Sequence, residues 1–99
     1  MEIIKVNNED SILFKLSGSL DSTTAPMLEA ELIPEFENSK IISLDFQDIK
    51  YISSAGMRVL LKGDKTAKAK DGKLSVLNVS PFVMEIFDIT GFSNILNFG

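Results

Sequence analysis

Two short runs rich in β-branched and aromatic residues, 3–6 and 12–16, flank Asn7-Asn8-Glu9-Asp10, a stretch of turn-forming side chains. That pattern predicts a hairpin. Asp21, Ser22, Thr23 and Thr24 then offer capping side chains ahead of Ala25-Pro26, and Leu28, Leu32 and Phe36 recur at four-residue spacing. This is a first helix. Pro34 is expected to kink or end it, because proline lacks the backbone N–H that would bond four residues back. The mostly apolar run 41–46 reads as a strand covered on at least one face.

Met57, Leu60, Leu61, Ala67 and Ala69 form an apolar stripe interrupted by Lys62, Lys65, Lys68 and Lys70. A second, amphipathic helix with a basic outer face is therefore expected, ending at Asp71-Gly72. Gly63 inside it costs about 1 kcal/mol relative to alanine, and the sequence offers no compensation for that cost. Residues 74–79 read as another strand. Ser80-Pro81 opens a third helix that runs through Phe82, Ile86 and Phe87 to Gly91, and 95–98 suits a last extended segment. The order β-β-α-β-α-β-α implies an α/β fold, a mixed sheet of four to five strands with helices packed on it.

Length changes the picture only by limiting it: 99 residues with 44% hydrophobic content suit one domain, 1–99, around one core. Composition removes more. There is no cysteine and no histidine, which excludes disulfides, thiol nucleophiles, zinc sites of the usual ligand types and a Ser-His-Asp triad. No catalytic residue, cofactor or metal is expected. The net charge of −4 argues against nucleic acid and is compatible with a basic protein partner. No charged-then-apolar leader follows Met1 and no apolar run approaches a membrane span, so a cytoplasmic protein is expected, and separately a monomer.

The candidate chemistry lies in Tyr51-Ile52-Ser53-Ser54-Ala55-Gly56. In an α/β sheet, the loop leaving the carboxyl end of a strand and entering a helix is where ligands meet the protein. The first N–H groups of that helix lack internal partners and sit at the positive end of its dipole, which favours a phosphate, bound or covalently attached. Ala55 and Gly56 leave the approach open. A Ser-Ser pair before a helix is, taken alone, about nine times in ten only a cap, and small neighbours equally serve close helix-to-sheet packing. Neither GxxxxGK[ST], GxGxxG nor GxSxG occurs, so a nucleotide-binding loop and a hydrolase elbow find no support.

Four segments together resemble the STAS domains of the anti-sigma-factor antagonist family: Gly18-Ser19-Leu20-Asp21, the Tyr51–Gly56 stretch, Gly72-Lys73-Leu74, and residues 80–92, SPFVMEIFDITGF. The resemblance covers nearly the whole chain. It implies a STAS-like domain whose phosphoacceptor is the serine two residues before the glycine that opens the second helix, which is Ser54 here, with Ser53 the second choice. Ser53 stands where the family often has aspartate, and Ala55 where it often has a second serine. Asp21 matches an acidic residue beside the phosphorylation loop that helps engage the partner.

The partner-binding set implied is Asp21, Ser22, Thr23, Ser53, Ser54, Ala55, Gly56, Met57 and Arg58. Ordinary roles compete at several of these positions. Asp21 suits a helix cap, Met57 is more often core than contact, and the lysine-rich helix face is most often simply solvated. The resemblance implies a switch: unphosphorylated, the protein binds an anti-sigma-factor serine kinase and releases the sigma factor, and a serine phosphatase resets it. ATP belongs to the kinase. The alternatives are a non-switching STAS scaffold or an accessory subunit of a lipid-transport or stress-signalling complex, and, from another class, a small enzyme acting on nucleotides.

Overall fold

The computed structural model describes all 99 residues. Five strands form one sheet in the spatial order β1 (Glu2–Asn7), β2 (Ser11–Leu20), β3 (Ile41–Ile52), β4 (Lys73–Leu77), β5 (Asn97–Phe98). β1 and β2 form the expected antiparallel hairpin, and the remaining pairs are parallel. Three helices, α1 (Ala25–Leu32), α2 (Ser54–Ala69) and α3 (Pro81–Thr90), supply the crossovers that parallel pairing requires. The mixed sheet with packed helices is the fold class expected from the sequence.

The core lies on one face of the sheet. Ile12, Phe14 and Leu16 of β2, Ile42, Leu44 and Phe46 of β3, and Leu74 and Val76 of β4 are all buried, as alternate residues pointing one way must be. They join Leu28 and Leu32 of α1, Leu60 and Ala67 of α2, and Val83 and Phe87 of α3 in a single cluster of 22 buried residues. Their neighbours Leu13, Lys15, Ser43, Asp45, Ser75 and Leu77 are exposed or half-buried, so no second layer covers the opposite face.

Several boundaries differ from the sequence expectation, each for a physical reason. β3 runs on to Ile52 rather than stopping at Phe46. Its register against β2 shifts twice, each time with one extra residue on β3, and the buried positions accordingly step from Phe46 to Ile49 to Ile52. Those bulges erase the period of two. α1 ends at Leu32, as expected from Pro34, but Phe36 reaches the core from a separate 3₁₀ turn, Ile33–Glu37, rather than from the helix itself. β4 ends at Leu77 because Asn78 takes a left-handed backbone, φ 55°, and donates to Asp45 Oδ1 at 3.1 Å. Past the end of α2 the left-handed residue is Asp71, φ 57°, not Gly72.

Gly63 also has an explanation. A Cβ there would lie 2.9 Å from Leu74 Cδ2 and 3.2 Å from Leu32 Cδ2. The glycine lets α2 settle against both β4 and α1, and this close approach offsets its helix-propensity cost.

Candidate functional site

The end of the sheet where β2 and β3 finish brings two loops together. Leu20 pairs with Ile52, and the next N–H, that of Ser53, donates to Leu20 O at 2.9 Å. Asp21 and Ser53 therefore leave the sheet side by side. Immediately beyond, Gly56 is buried, and a Cβ on it would stand 2.7 Å from Leu20 Cγ and 2.9 Å from Leu20 O. Only glycine lets the first turn of α2 sit this close to the end of β2, so the backbone of residue 56 sets the height of the serine loop above the sheet.

The two serines have different surroundings. Ser53 is the N-cap of α2, with an extended backbone (φ −99°, ψ 175°), and its Oγ accepts a long hydrogen bond from Gly56 N at 3.5 Å. It is half-buried. Ser54 is the first helical residue, is exposed, and its hydroxyl has no hydrogen-bond partner in the protein. One turn on, Arg58 is exposed and its Nε donates to Ser54 O at 3.5 Å. The spare hydroxyl thus stands at the positive end of α2, on the residue whose carbonyl the guanidinium holds.

Asp21 organises the neighbouring loop. Its Oδ1 accepts from Thr23 N at 2.9 Å and Thr24 N at 3.1 Å. The N–H groups of Thr24 and then Thr23 hold its carboxyl below the ordinary value of 3.8. Thr24 is the formal N-cap of α1 but makes no side-chain cap bond. Its hydroxyl instead donates to Ser19 O at 2.7 Å and accepts from Asp21 N at 2.9 Å, tying the loop back onto β2. Leu20 and Thr24 are the organising residues that the sequence reading did not place in the site. The signal for Thr24 was its position three residues after an aspartate, an arrangement that lets both side chains bond the local backbone.

Of the residues expected at the site, Asp21, Ser22, Thr23, Ser53, Ser54, Ala55 and Arg58 share this surface, with Ser22, Thr23, Ser54 and Arg58 exposed. Met57 departs from the expected contact set. It is 7% exposed, belongs to the core and packs with its sulfur 3.5 Å from Thr90 Oγ1. The helical period is the reason: residue 57 shares the inward face with Leu60, and Arg58 turns outward. Gly56, also buried, offers a partner nothing but backbone. No helix is long and apolar enough to cross a membrane.

Comparison with known proteins agrees with this geometry. The STAS domain family model matches residues 2–99. The anti-sigma-B factor antagonist of Bacillus subtilis is 31% identical over 90 residues, 91% of this chain and 83% of that one. Among solved structures, the anti-sigma factor antagonist SpoIIAA in its unphosphorylated form superposes with a TM-score of 0.75 at 19% identity, covering 89% of this chain and 83% of that one. The Bacillus cell fate determinant SpoIIAA in its phosphorylated form gives a TM-score of 0.77 at 18% identity, covering 99% of this chain and 91% of that one. With the sheet order, the glycine-levelled serine loop and a family match over nearly every residue, this chain belongs to the STAS domain family.

Proposed function

We propose that this protein is an anti-sigma factor antagonist controlled by phosphorylation of Ser54. In the unphosphorylated state it docks through the outer face at the start of α2, with Ser53, Ser54, Ala55 and Arg58, and through the Asp21 loop onto an anti-sigma-factor serine kinase in the cytoplasm, and so frees the sigma factor. A serine phosphatase returns it to that state. The observation that carries the assignment to Ser54 is the division of labour between the serines: Ser53 is half-buried and engaged as the cap, whereas the exposed Ser54 hydroxyl is engaged by nothing. The name of the Bacillus subtilis relative supports the antagonist role, and the existence of SpoIIAA in two phosphorylation states supports a switch.

The physical effect of the modification follows from charge. A phosphate adds about 1.5 to 2 negative charges and three acceptor oxygens at the centre of the docking surface. Buried against a partner without a matching cation, that charge costs about 3 to 5 kcal/mol, which weakens binding by hundreds-fold or more. Within the free protein the same charge is tolerated, because it stands at the positive end of the α2 dipole.

The test is to incubate the chain with ATP and the anti-sigma-factor serine kinase of its own organism and to map phosphate by peptide mass spectrometry. Phosphate on Ser54 is expected. Modification centred on Ser53, or none on either serine, contradicts the assignment.

A further inference from the structure

α1 and α2 are separated at the surface by an open groove that begins at the serine loop. Its floor is apolar, built by Ala25, Ala30 and Ile33 on the α1 side and Val59 on the α2 side. Its α2 wall is cationic, with Arg58, Lys62 and Lys65 along the helix and Lys70 at its end. Helix α2 carries four cations against one carboxylate, Asp64, which is 2% exposed and paired with Lys68 at 2.9 Å. The chain as a whole has a net charge of −4, so this basic wall is a local segregation of charge against the global balance.

Part of the wall is already neutralised. Lys62 pairs with Glu29 across the groove at 3.2 Å, and Lys70 pairs with Glu37 at 2.8 Å. Arg58 and Lys65 have no carboxylate partner. Two unpaired cations above an apolar floor form a surface of defined complementarity, and neither folding nor capping uses it.

We infer that this groove receives an acidic, amphipathic segment of a protein partner, whose apolar side chains lie on the floor and whose carboxylates meet Arg58 and Lys65. The inference rests on the binding-module reading above in taking the occupant to be protein. A concave, apolar-floored groove suits a helix laid lengthwise. An anionic membrane is the weaker fit, because a flat charged surface would leave the floor empty and would meet an acidic protein. The groove also deepens the switch. Ser22, Ala55 and Arg58 line the groove at its serine end, and Arg58 already reaches the Ser54 carbonyl. A phosphate on Ser54 would compete with the incoming carboxylates for that guanidinium and repel them.

The experiment uses the unphosphorylated full chain, labelled with ¹⁵N, so that its outcome is independent of whether Ser54 is a phosphoacceptor. Two synthetic amphipathic peptides are titrated in, with the same leucine and alanine face and either glutamate or lysine on the other face. The glutamate peptide is expected to shift the amides of Ala30, Ile33, Val59 and Lys65, the lysine peptide to leave them in place, and added salt to weaken the effect. An Arg58→Glu/Lys65→Glu variant, shown by circular dichroism to be folded, is expected to bind the glutamate peptide roughly tenfold more weakly. With the peptides, four outcomes overturn the inference: equal shifts with both, shifts confined to another face, unchanged affinity in the double variant, or no shift at millimolar peptide. A response of these amides to anionic phospholipid vesicles but not to the glutamate peptide overturns it in favour of a membrane.

Discussion

Helices α2 and α3 begin in the same way. Each follows the carboxyl end of a parallel strand, β3 or β4, and each has a serine with extended backbone as its N-cap: Ser53 at φ −99°, ψ 175° and Ser80 at φ −67°, ψ 156°. Ser80 Oγ accepts from Val83 N at 3.2 Å, and Ser53 Oγ accepts from Gly56 N at 3.5 Å. The difference lies one residue later. After Ser80 comes Pro81, pre-set for the first helical turn and without any polar group to spare. After Ser53 comes Ser54, with an exposed hydroxyl, and the loop is fastened to β2 by the bond from Ser53 N to Leu20 O. Capping therefore explains one serine at each helix. The second serine at α2 is left over, and it is the one to which the proposed function assigns the switch.

The comparison is broken most severely by lifting α2 away from the sheet. Gly56→Val places new atoms where Leu20 Cγ and O lie 2.7 and 2.9 Å from the Cβ position, and is expected to cost about 3 kcal/mol in urea unfolding. A cost near zero would show that the serine loop is not set by that contact. Sharpening comes from the caps themselves. Ser80→Ala is expected to lower stability by about 1 kcal/mol, Ser53→Ala by about 0.5 kcal/mol in keeping with its longer bond, and Ser54→Ala by less than either. Thermal melts of the three variants check that order, and a Ser54 variant as destabilised as the Ser80 one would make residue 54 a structural cap.

The smallest effect is pH-dependent and concerns the loop beside α2, which α3 lacks. The N–H groups of Thr24 and Thr23 depress the folded pKa of Asp21 below 3.8, so its stabilisation is complete above that value and is lost as pH falls through the depressed one. Asp21→Asn should therefore be less stable than the parent at about pH 7, and the gap should close as pH falls through the depressed pKa. A gap that stays constant with pH would remove the carboxylate's charge from the account.

The openings of α2 and α3 were legible in the sequence because capping is local: a serine, a proline or small residues, and an apolar stripe lie within a few positions. The hairpin was legible for the same reason. The second half of β3 was not, because two bulges insert single residues and destroy the alternation that identifies a strand. Gly63 had no sequence rationale, since the atoms that require it belong to Leu32 and Leu74, in other elements. Met57 reads as adjacent to the serine loop along the chain, but one helical step turns it inward to Thr90. Ser53 and Ser54 are distinguished by a hydrogen bond and by exposure, neither of which the letters Ser-Ser contain. The groove was out of reach altogether, because α1 and α2 become neighbours only when both pack on one face of the sheet.

The central claim is that charge at Ser54, not the shape of its side chain, controls docking. The direct measurement is the affinity of two folded variants for the anti-sigma-factor serine kinase, by isothermal titration calorimetry. Ser54→Ala deletes one unpartnered hydroxyl and is expected to bind as the unphosphorylated parent does. Ser54→Asp adds a carboxylate that the α2 N-terminus tolerates in the free protein, and it is expected to bind at least about tenfold more weakly. Equal affinity of the two variants, with circular dichroism showing both folded, would contradict the account.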